Sequence, residues 1–188
     1  MIYLDDRPWD MDLESALHAV GSERREYALR YKFEIDRRLC LAAYQLLQRG
    51  LRQEYGIMEV PPFIYGPNGK PSLKGYPDIC FNLSHCREAT VCVIAPHPVG
   101  VDVECIDRYD ESLLSHTMND GECRRIAASK QPAAEFIRLW TMKESLLKLT
   151  GQGIVDDLFS VLNEAHRYRF ETMVTSKYIC TVCTSAAD

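Results

Sequence analysis

The sequence lacks any stretch that could cross a membrane as a helix. Its 188 residues contain no run of about 18 consecutive apolar residues, the length that a spanning helix needs. The N-terminal segment MIYLDDRPWDMD carries acidic residues where a secretory signal has basic residues followed by an apolar stretch. We therefore expect a cytoplasmic protein with no membrane partner.

Excess positive charge is also missing. Lys and Arg total 22 against 27 for Asp and Glu, so the net charge is −5 at pH 7. Nucleic-acid binding requires a dominant basic surface to neutralise phosphates, and we expect no nucleic-acid partner. Between Arg24 and Arg38, however, six basic residues face three acidic ones. This segment is either a solvated helix face or a site for a polyanionic ligand.

The eight cysteines do not follow the spacing of a disulfide framework or a zinc site. Cys180 and Cys183 form a C-x-x-C pair, but neither a second pair nor a nearby histidine completes a metal site. Most of the cysteines lie in apolar strings such as VCVIA and YICTVCT. Since the chain shows no secretory signal, we expect reduced thiols in the core and no disulfide.

Apolar spacing predicts an α+β protein. A helix, or two helices in line, is predicted over 22–49, and a short strand is predicted over 79–83. The strands that follow, 90–95 and 99–106, are predicted to form a hairpin. After a polar junction at 107–110 we expect helices over 111–129 and 133–150, and then strands over 158–162, 168–174 and 178–184. Because helices followed by strands occur twice, we predict two lobes of related plan, residues 1–106 and 107–188.

One of these strands carries two carboxylates. Asp102 and Glu104 alternate with valines, and side chains two residues apart project from the same face of a strand, about 6.5–7 Å from each other. Such a face is either a solvent-exposed edge or part of a cation site. Mg²⁺ binds one or two carboxylates together with substrate phosphates, so a third carboxylate elsewhere would complete such a site.

Three further segments offer chemistry. Glu144 and Lys148 lie one helical turn apart, and taken alone they predict an ion pair that stabilises the helix by about 0.3–0.5 kcal/mol. Ser84 and His85 follow a predicted strand and enter a polar turn, where a hydroxyl and an imidazole can bind phosphate. Lys70 sits in a Gly-Lys-Pro turn. None of these segments is diagnostic alone.

Their joint order along the chain is specific. The sequence resembles the 4′-phosphopantetheinyl transferases of the larger, surfactin-synthetase-activating type, from about Ser22 to Cys183. The matching segments are Gly69-Lys70-Pro71, Phe81-Asn82-Leu83-Ser84-His85, Val99-Gly100-Val101-Asp102-Val103-Glu104, and Trp140-Thr141-Met142-Lys143-Glu144-Ser145-Leu146-Leu147-Lys148 followed by Gly151-Gln152-Gly153.

The resemblance implies two similar α+β lobes related by a pseudo-twofold, with coenzyme A between them and a monomer as the complete unit. It implies transfer of the 4′-phosphopantetheine arm of coenzyme A to a serine of an apo acyl or peptidyl carrier protein, in fatty acid or secondary metabolism. The other product is adenosine 3′,5′-bisphosphate. By position, Asp102, Glu104 and Glu144 match the family's ligands for Mg²⁺, with Mn²⁺ as an alternative. Glu144 and Lys148 match its catalytic residues.

The same resemblance places coenzyme A against Lys70, Ser84 and His85. Arg25 and Arg37 match basic positions on the first helix, with Arg24 and Arg38 as alternatives. Two other functions share these residues: a non-catalytic coenzyme A-binding module, and a Mg²⁺-dependent nucleotide phosphohydrolase that would use water instead of a carrier serine. The chain departs from the family pattern at Gln152, where a cation is usual, and at Thr117-Met118, which replaces an aromatic pair.

Overall fold

The computed structural model describes residues 1–153 and 157–186, which form a mixed helix and sheet structure. The helices of these residues are α1 (Leu13–His18), α2 (Ser22–Leu29), α3 (Glu34–Tyr55), α4 (Leu114–Thr117), α5 (Asp120–Ala128) and α6 (Pro132–Thr150). The strands are β1 (Ile2–Asp5), β2 (Phe63–Tyr65), β3 (Pro71–Leu73), β4 (Cys80–His85), β5 (Thr90–Ala95), β6 (Val99–Cys105), β7 (Tyr168–Val174) and β8 (Tyr178–Ser185). Within these ranges, no helix is sufficiently long and apolar to span a bilayer.

The first sheet packs against α3. Its strands are antiparallel in the order β1-β5-β4, and apolar residues of α3 at helical spacing, Leu47 and Leu51 among them, pack against Phe81 and Ile94 of the sheet. The helix ends at Gly56, which adopts a left-handed conformation with φ 69°, as glycine does at many helix ends. A hairpin of β2 and β3 lies beside this unit.

The second sheet packs against α6. Its strands are antiparallel in the order β6-β8-β7, and Phe136, Ile137 and Leu139 of the helix share a core with Ile179 of β8. The helix ends at Gly151, again left-handed with φ 69°. The predictions of α6 and of the last two strands are therefore confirmed.

The predicted hairpin of residues 90–95 and 99–106 is wrong. β5 pairs with β1 and β4, whereas β6 pairs with β8. Alternation shows that a segment is a strand, but it does not identify the partner, and β8 lies far along the chain. This pairing groups β6 with the second sheet; the lobe boundary at 106–107 stays a prediction.

Two other predicted elements differ in the structure. Residues 158–162 lie mainly in turns instead of a strand. The predicted helix over 111–129 is interrupted, because Met118 is extended and Asn119 begins α5 through a capping box with Glu122. The cap supplies partners to backbone N–H groups that a continuous helix would have bonded internally.

The cysteines follow the predicted distribution. All eight are free thiols, and most are buried. Burial raises the pKa of Cys180 and of Cys183 to about 12. Both lie in β8. Cys180 belongs to an apolar cluster that residues of β5, β6 and β8 share, and Cys183 packs with Leu146 and Leu149 of α6, so each behaves as a small core residue.

Candidate active site

Two side chains of β4, a strand of the first sheet, form hydrogen bonds with β6 of the second sheet. The Oδ1 atom of Asn82 accepts a hydrogen bond from the backbone N–H of Val101 at 3.0 Å, and the Oγ atom of Ser84 accepts one from Val103 at 3.2 Å. Both polar side chains are buried. Because side chains two residues apart point to the same face of a strand, Asn82 and Ser84 reach β6 together and hold Asp102 between their two contacts.

A charged network lies at this junction. The Nζ atom of Lys148 is 2.6 Å from Oδ1 of Asp102 and donates to Oγ of Ser84 at 3.0 Å. The Ser84 hydroxyl in turn donates to the same Asp102 oxygen at 2.9 Å. The structure thus brings a residue from each of three elements, β4, β6 and α6, into mutual contact.

The other two predicted carboxylates lie near this network and are half-buried. Burial is the main cause that raises the pKa of Glu144, and the negative charges of Asp102 and Glu104 raise it further, while Lys148 opposes them. Burial likewise raises the pKa of Glu104, which accepts a hydrogen bond from the N–H of Cys105 at 3.0 Å. The three carboxylates therefore interact electrostatically.

The three carboxylates do not surround a common point as the ligands of a bound metal ion would. In the part of the chain that the structure describes, no three Asp, Glu, His or Cys side chains are arranged closely enough to hold a metal ion. Beside Asp102 lies the ammonium group of Lys148, so the negative charge is partly compensated. The assignment of Asp102, Glu104 and Glu144 as metal ligands stays a prediction.

Gly100 lets β6 approach α6 closely. A Cβ atom at this position would lie 1.9 Å from the carbonyl oxygen of Ser145 and 2.5 Å from the backbone nitrogen of Leu149. Both contacts are with helix backbone, which cannot rotate away as a side chain can. Since Asp102 follows Gly100 by two residues and Lys148 precedes Leu149 by one, this approach sets the distance between the carboxylate and the ammonium group.

A cavity of about 300 Å³ opens next to the network. It lies between residues 68–71 and the C-terminal end of α6, with Asn82, Glu144 and Lys148 in its lining. The Nζ atom of Lys70 donates to the carbonyl of Leu149 at 2.8 Å, and burial lowers the pKa of this lysine. A cation at a helix C-terminus interacts favourably with the helix dipole, so Lys70 helps to hold this side of the cavity.

His85 lies at a second, wider cavity of about 620 Å³, which Glu104 also lines. The residue is exposed, yet the protein around it lowers its pKa: desolvation is the largest cause, and the positive charges of Lys148 and Arg24 add to it. The predicted phosphate ligands Ser84 and His85 are therefore separated: the first belongs to the buried network and the second faces solvent.

Arg24 lines a third cavity, of about 420 Å³. Its guanidinium group donates to the carbonyl of Cys40 at 2.8 Å and lies over the rings of Tyr27 and Tyr44, 4.9 and 4.8 Å from their centres. The lining also contains one acidic residue, Glu23, together with a second arginine, prolines and aromatic residues: Arg30, Pro61, Pro62, Phe63 and Tyr65. This cavity combines positive charge with flat apolar surfaces.

Arg25 and Arg37, the two arginines predicted for coenzyme A, donate to backbone carbonyls. Arg25 reaches the carbonyls of Leu17 at 2.7 Å and Val20 at 3.4 Å. The Nε atom of Arg37 donates to Tyr31 at 2.9 Å. Neither residue lines the cavity that contains Arg24. Their role in binding coenzyme A stays a prediction, and their contacts show that each also fixes local backbone.

Sequence reasoning assigned no role to Asn82 or Gly100, although both lie in the segments that it singled out. The signal for Asn82 was its spacing of two from Ser84, which places both side chains on one face of β4. The signal for Gly100 was a glycine inside a strand of valines, which often marks the close approach of another backbone.

The fold and this site define the class of the protein: a mixed helix and sheet structure in which residues of two sheets and one helix form a lysine and carboxylate site beside a cavity. Residues 98–184 match the family described as the 4′-phosphopantetheinyl transferase superfamily. This range contains β6, α6 and β8, and with them the carboxylates and Lys148. The chain belongs to this superfamily.

Several relatives carry the same name. The 4′-phosphopantetheinyl transferase psf-1 of Bacillus pumilus is 35% identical over 156 residues, which cover 80% of this chain and 66% of the relative. A 4′-phosphopantetheinyl transferase of Bacillus subtilis is 28% identical over 158 residues, 81% of this chain and 70% of the relative. The gsp protein of Aneurinibacillus migulanus is 31% identical over 141 residues, 72% of this chain and 57% of the relative. The matched region thus spans between 57% and 70% of these relatives' lengths.

Proposed function

We propose that this chain transfers the 4′-phosphopantetheine arm of coenzyme A to a serine of an apo acyl or peptidyl carrier protein. The observation that carries the proposal is the contact of Lys148 with both Asp102 and Ser84 at the junction of the two sheets. Family membership supplies the reaction type, and this junction supplies a positive group and carboxylates beside a cavity.

We also propose that the two helix-and-sheet units are related by an approximate twofold axis and that a monomer forms the complete site. Each unit consists of one long helix on a three-stranded antiparallel sheet. Residues from both sheets meet at the charged network. One chain therefore contributes every residue of the proposed site.

The chemistry of the donor set suits a divalent cation, Mg²⁺ or Mn²⁺, but binding would require the three carboxylates to move closer together than the described residues place them. The Oδ2 atom of Asp102 is buried and has no hydrogen-bond partner among the described residues, and Glu144 and Glu104 have pKa values raised by burial. Carboxylate oxygens are the ligands that these hard cations prefer. Asp102, Glu104 and Glu144 would hold the cation, which when bound would withdraw charge from the diphosphate of coenzyme A.

The protein's own residues would position the groups and move the proton. The serine hydroxyl attacks the phosphorus next to pantetheine, a new O–P bond forms, and the bond from that phosphorus to the oxygen of the 5′-phosphate breaks. Glu144, with its raised pKa, would accept the proton of the serine. Lys148 would donate to the 5′-phosphate as negative charge develops on it, and adenosine 3′,5′-bisphosphate would leave.

Coenzyme A recognition would involve the cavities on both sides of the network. Lys70 and Ser84 lie at the first cavity and its junction, and His85 lies at the wider one. For the 3′-phosphate, the cavity lined by Arg24 favours this residue over Arg25 and Arg37.

Replacing Arg24 by Gln should weaken coenzyme A binding at least tenfold more than it weakens binding of 3′-dephospho-coenzyme A. Arg37→Gln is the matched comparison, and a larger selective loss in that variant would return the assignment to Arg37.

The test of the transfer itself is incubation with coenzyme A, Mg²⁺ and a panel of apo carriers, followed by the mass of each carrier. Transfer adds one phosphopantetheine to a carrier. A phosphohydrolase would cleave coenzyme A and leave every carrier unmodified, and a binding module would leave both substrates unchanged. Either of these last two results would contradict the proposal.

Variants assign the transfer to the site. Lys148→Ala and Glu144→Gln should each lower the single-turnover rate by about 100-fold or more, since each removes a group that acts on developing charge. Asp102→Asn should do the same and reduce the dependence on Mg²⁺. The control is Glu171→Gln, which changes an exposed strand carboxylate paired with Arg169 and should leave the rate unchanged. Rates near those of the unaltered protein in the first three variants would place the chemistry elsewhere.

A further inference from the structure

Lys143 precedes Glu144 in α6 and points away from the site. Its side chain is 1% exposed. The Nζ atom donates to Oε2 of Glu122 and to the carbonyl of Thr117, both at 2.7 Å, and to the carbonyl of Leu158 at 2.9 Å. One ammonium group thus connects α6 to the end of α4, to α5 and to the chain that follows α6.

The partner carboxylate is equally enclosed. Glu122 is 8% exposed, and its Oε2 atom also accepts the backbone N–H of Asn119 at 2.8 Å in the capping box of α5. The Oε1 atom is buried without a hydrogen-bond partner among the described residues. This carboxylate therefore depends on Lys143 for charge compensation.

A buried ion pair is a weak source of stability, because removing two charges from water offsets most of their attraction. The pair can nevertheless fix the orientation of the helix, because the Lys143 ammonium group must reach three acceptors at once. Direction matters for α6: from 133 to 149 every residue is buried or half-buried. A helix that is enclosed on all sides has little preference for one rotation about its axis from apolar burial alone.

We infer that the Lys143–Glu122 pair is a positioning device that fixes the rotation of α6, so that Glu144 and Lys148 face β6. Successive residues of a helix are rotated by about 100° from each other, so an error at Lys143 displaces its neighbour Glu144 directly. The inference rests on the proposed function for its consequence. Lys143 and Glu122 are positioning residues, since both are buried and neither lines the cavity beside the charged network.

The test is the double variant Lys143→Met with Glu122→Gln. It removes both charges, keeps the approximate side-chain volumes and retains an amide oxygen for the capping box of α5. The control is Arg167→Met with Glu164→Gln, which removes an exposed ion pair. Transfer is measured well below the melting temperature as kcat per folded molecule, together with KM for coenzyme A. Mn²⁺ affinity is measured by electron paramagnetic resonance.

We expect the buried double variant to lower kcat at least tenfold and to weaken Mn²⁺ binding at least fivefold, with KM for coenzyme A changed less than twofold. The control should match the unaltered protein. A purely structural role would lower the melting temperature and leave both quantities unchanged per folded molecule; this result would overturn the inference.

A second variant covers the case in which the double variant does not fold. Glu122→Gln keeps Lys143 and its two carbonyl partners, and it should lower kcat and Mn²⁺ affinity at least threefold; unchanged values would overturn the inference. If the unaltered chain transfers nothing, the proposed function fails, and Mn²⁺ affinity alone then decides whether the pair positions the carboxylates.

Discussion

The two helix-and-sheet units place their long helices in different environments. α3 exposes both of its ends, where Glu34 and Arg52 face solvent, and buries one apolar face on the sheet. α6 has no exposed residue from 133 to 149 and buries polar side chains, such as Lys143 and Thr141, among apolar ones. The rotation of α3 follows from its amphipathic pattern, whereas that of α6 depends on a few directional contacts.

The two units also differ at the glycines where helix and strand approach each other closely. In the first unit, a Cβ atom on Gly50 of α3 would lie 2.4 Å from the Cδ1 atom of Ile94 and 2.7 Å from the ring of Tyr3. These are ends of side chains. In the second unit, a Cβ atom on Gly100 would meet the backbone of Ser145 and Leu149. The unit that contains the carboxylates of the proposed site is therefore the less adaptable one.

The largest expected effect comes from adding one methyl group in each unit. Gly100→Ala should lower the free energy of unfolding by about 3 kcal/mol, since backbone must move to relieve the overlap. Gly50→Ala should cost about 1 kcal/mol or less, because side-chain ends can shift and alanine favours a helix by about 1 kcal/mol over glycine. Urea unfolding followed by circular dichroism measures both. Equal losses would contradict the contrast between the units.

The junction of the units should show the next effect. Asn82→Ala leaves the N–H of Val101 without its acceptor in a buried position, which should lower the free energy of unfolding by about 1–3 kcal/mol. Ser72→Ala is the control, because its hydroxyl donates to the carbonyl of Ile64 at 3.3 Å in an exposed position. If both variants unfold at the same urea concentration, Asn82 does not stabilise the junction.

The smallest effect is expected in the first unit. Arg38 lies on α3, bonds Glu34 and donates to the carbonyls of Trp9 and Met11. Arg38→Ala should lower the free energy of unfolding by about 1 kcal/mol and leave the transfer rate within twofold. A selective loss of coenzyme A affinity in this variant would show that Arg38 binds the ligand, which was the alternative that sequence analysis left open.

Prediction from sequence succeeded where the physical signal is local. Apolar residues at three- and four-residue steps identified α6, with Gly151 ending it. They also identified the middle of the predicted helix over 22–49, but the structure divides this segment into α2 and α3, and α3 continues past 49 to Tyr55. Alternation identified β6 and the shared face of Asp102 and Glu104. The order of four short segments indicated the family, which the match over residues 98–184 confirms.

Only the tertiary structure decides which strands pair and which groups the lysines of α6 contact. Alternation in β6 could not reveal that β8 would pair with it. The hydrogen bonds between strands are formed by backbone groups, which every strand has, so the side-chain pattern does not identify the partner. Lys143 and Lys148 read alike in the sequence, as lysines near a glutamate on one helix. Folding buries the first against Glu122 and places the second beside Asp102. Their roles diverge because the low dielectric of the interior makes each charge dependent on whichever opposite charge the fold brings within reach.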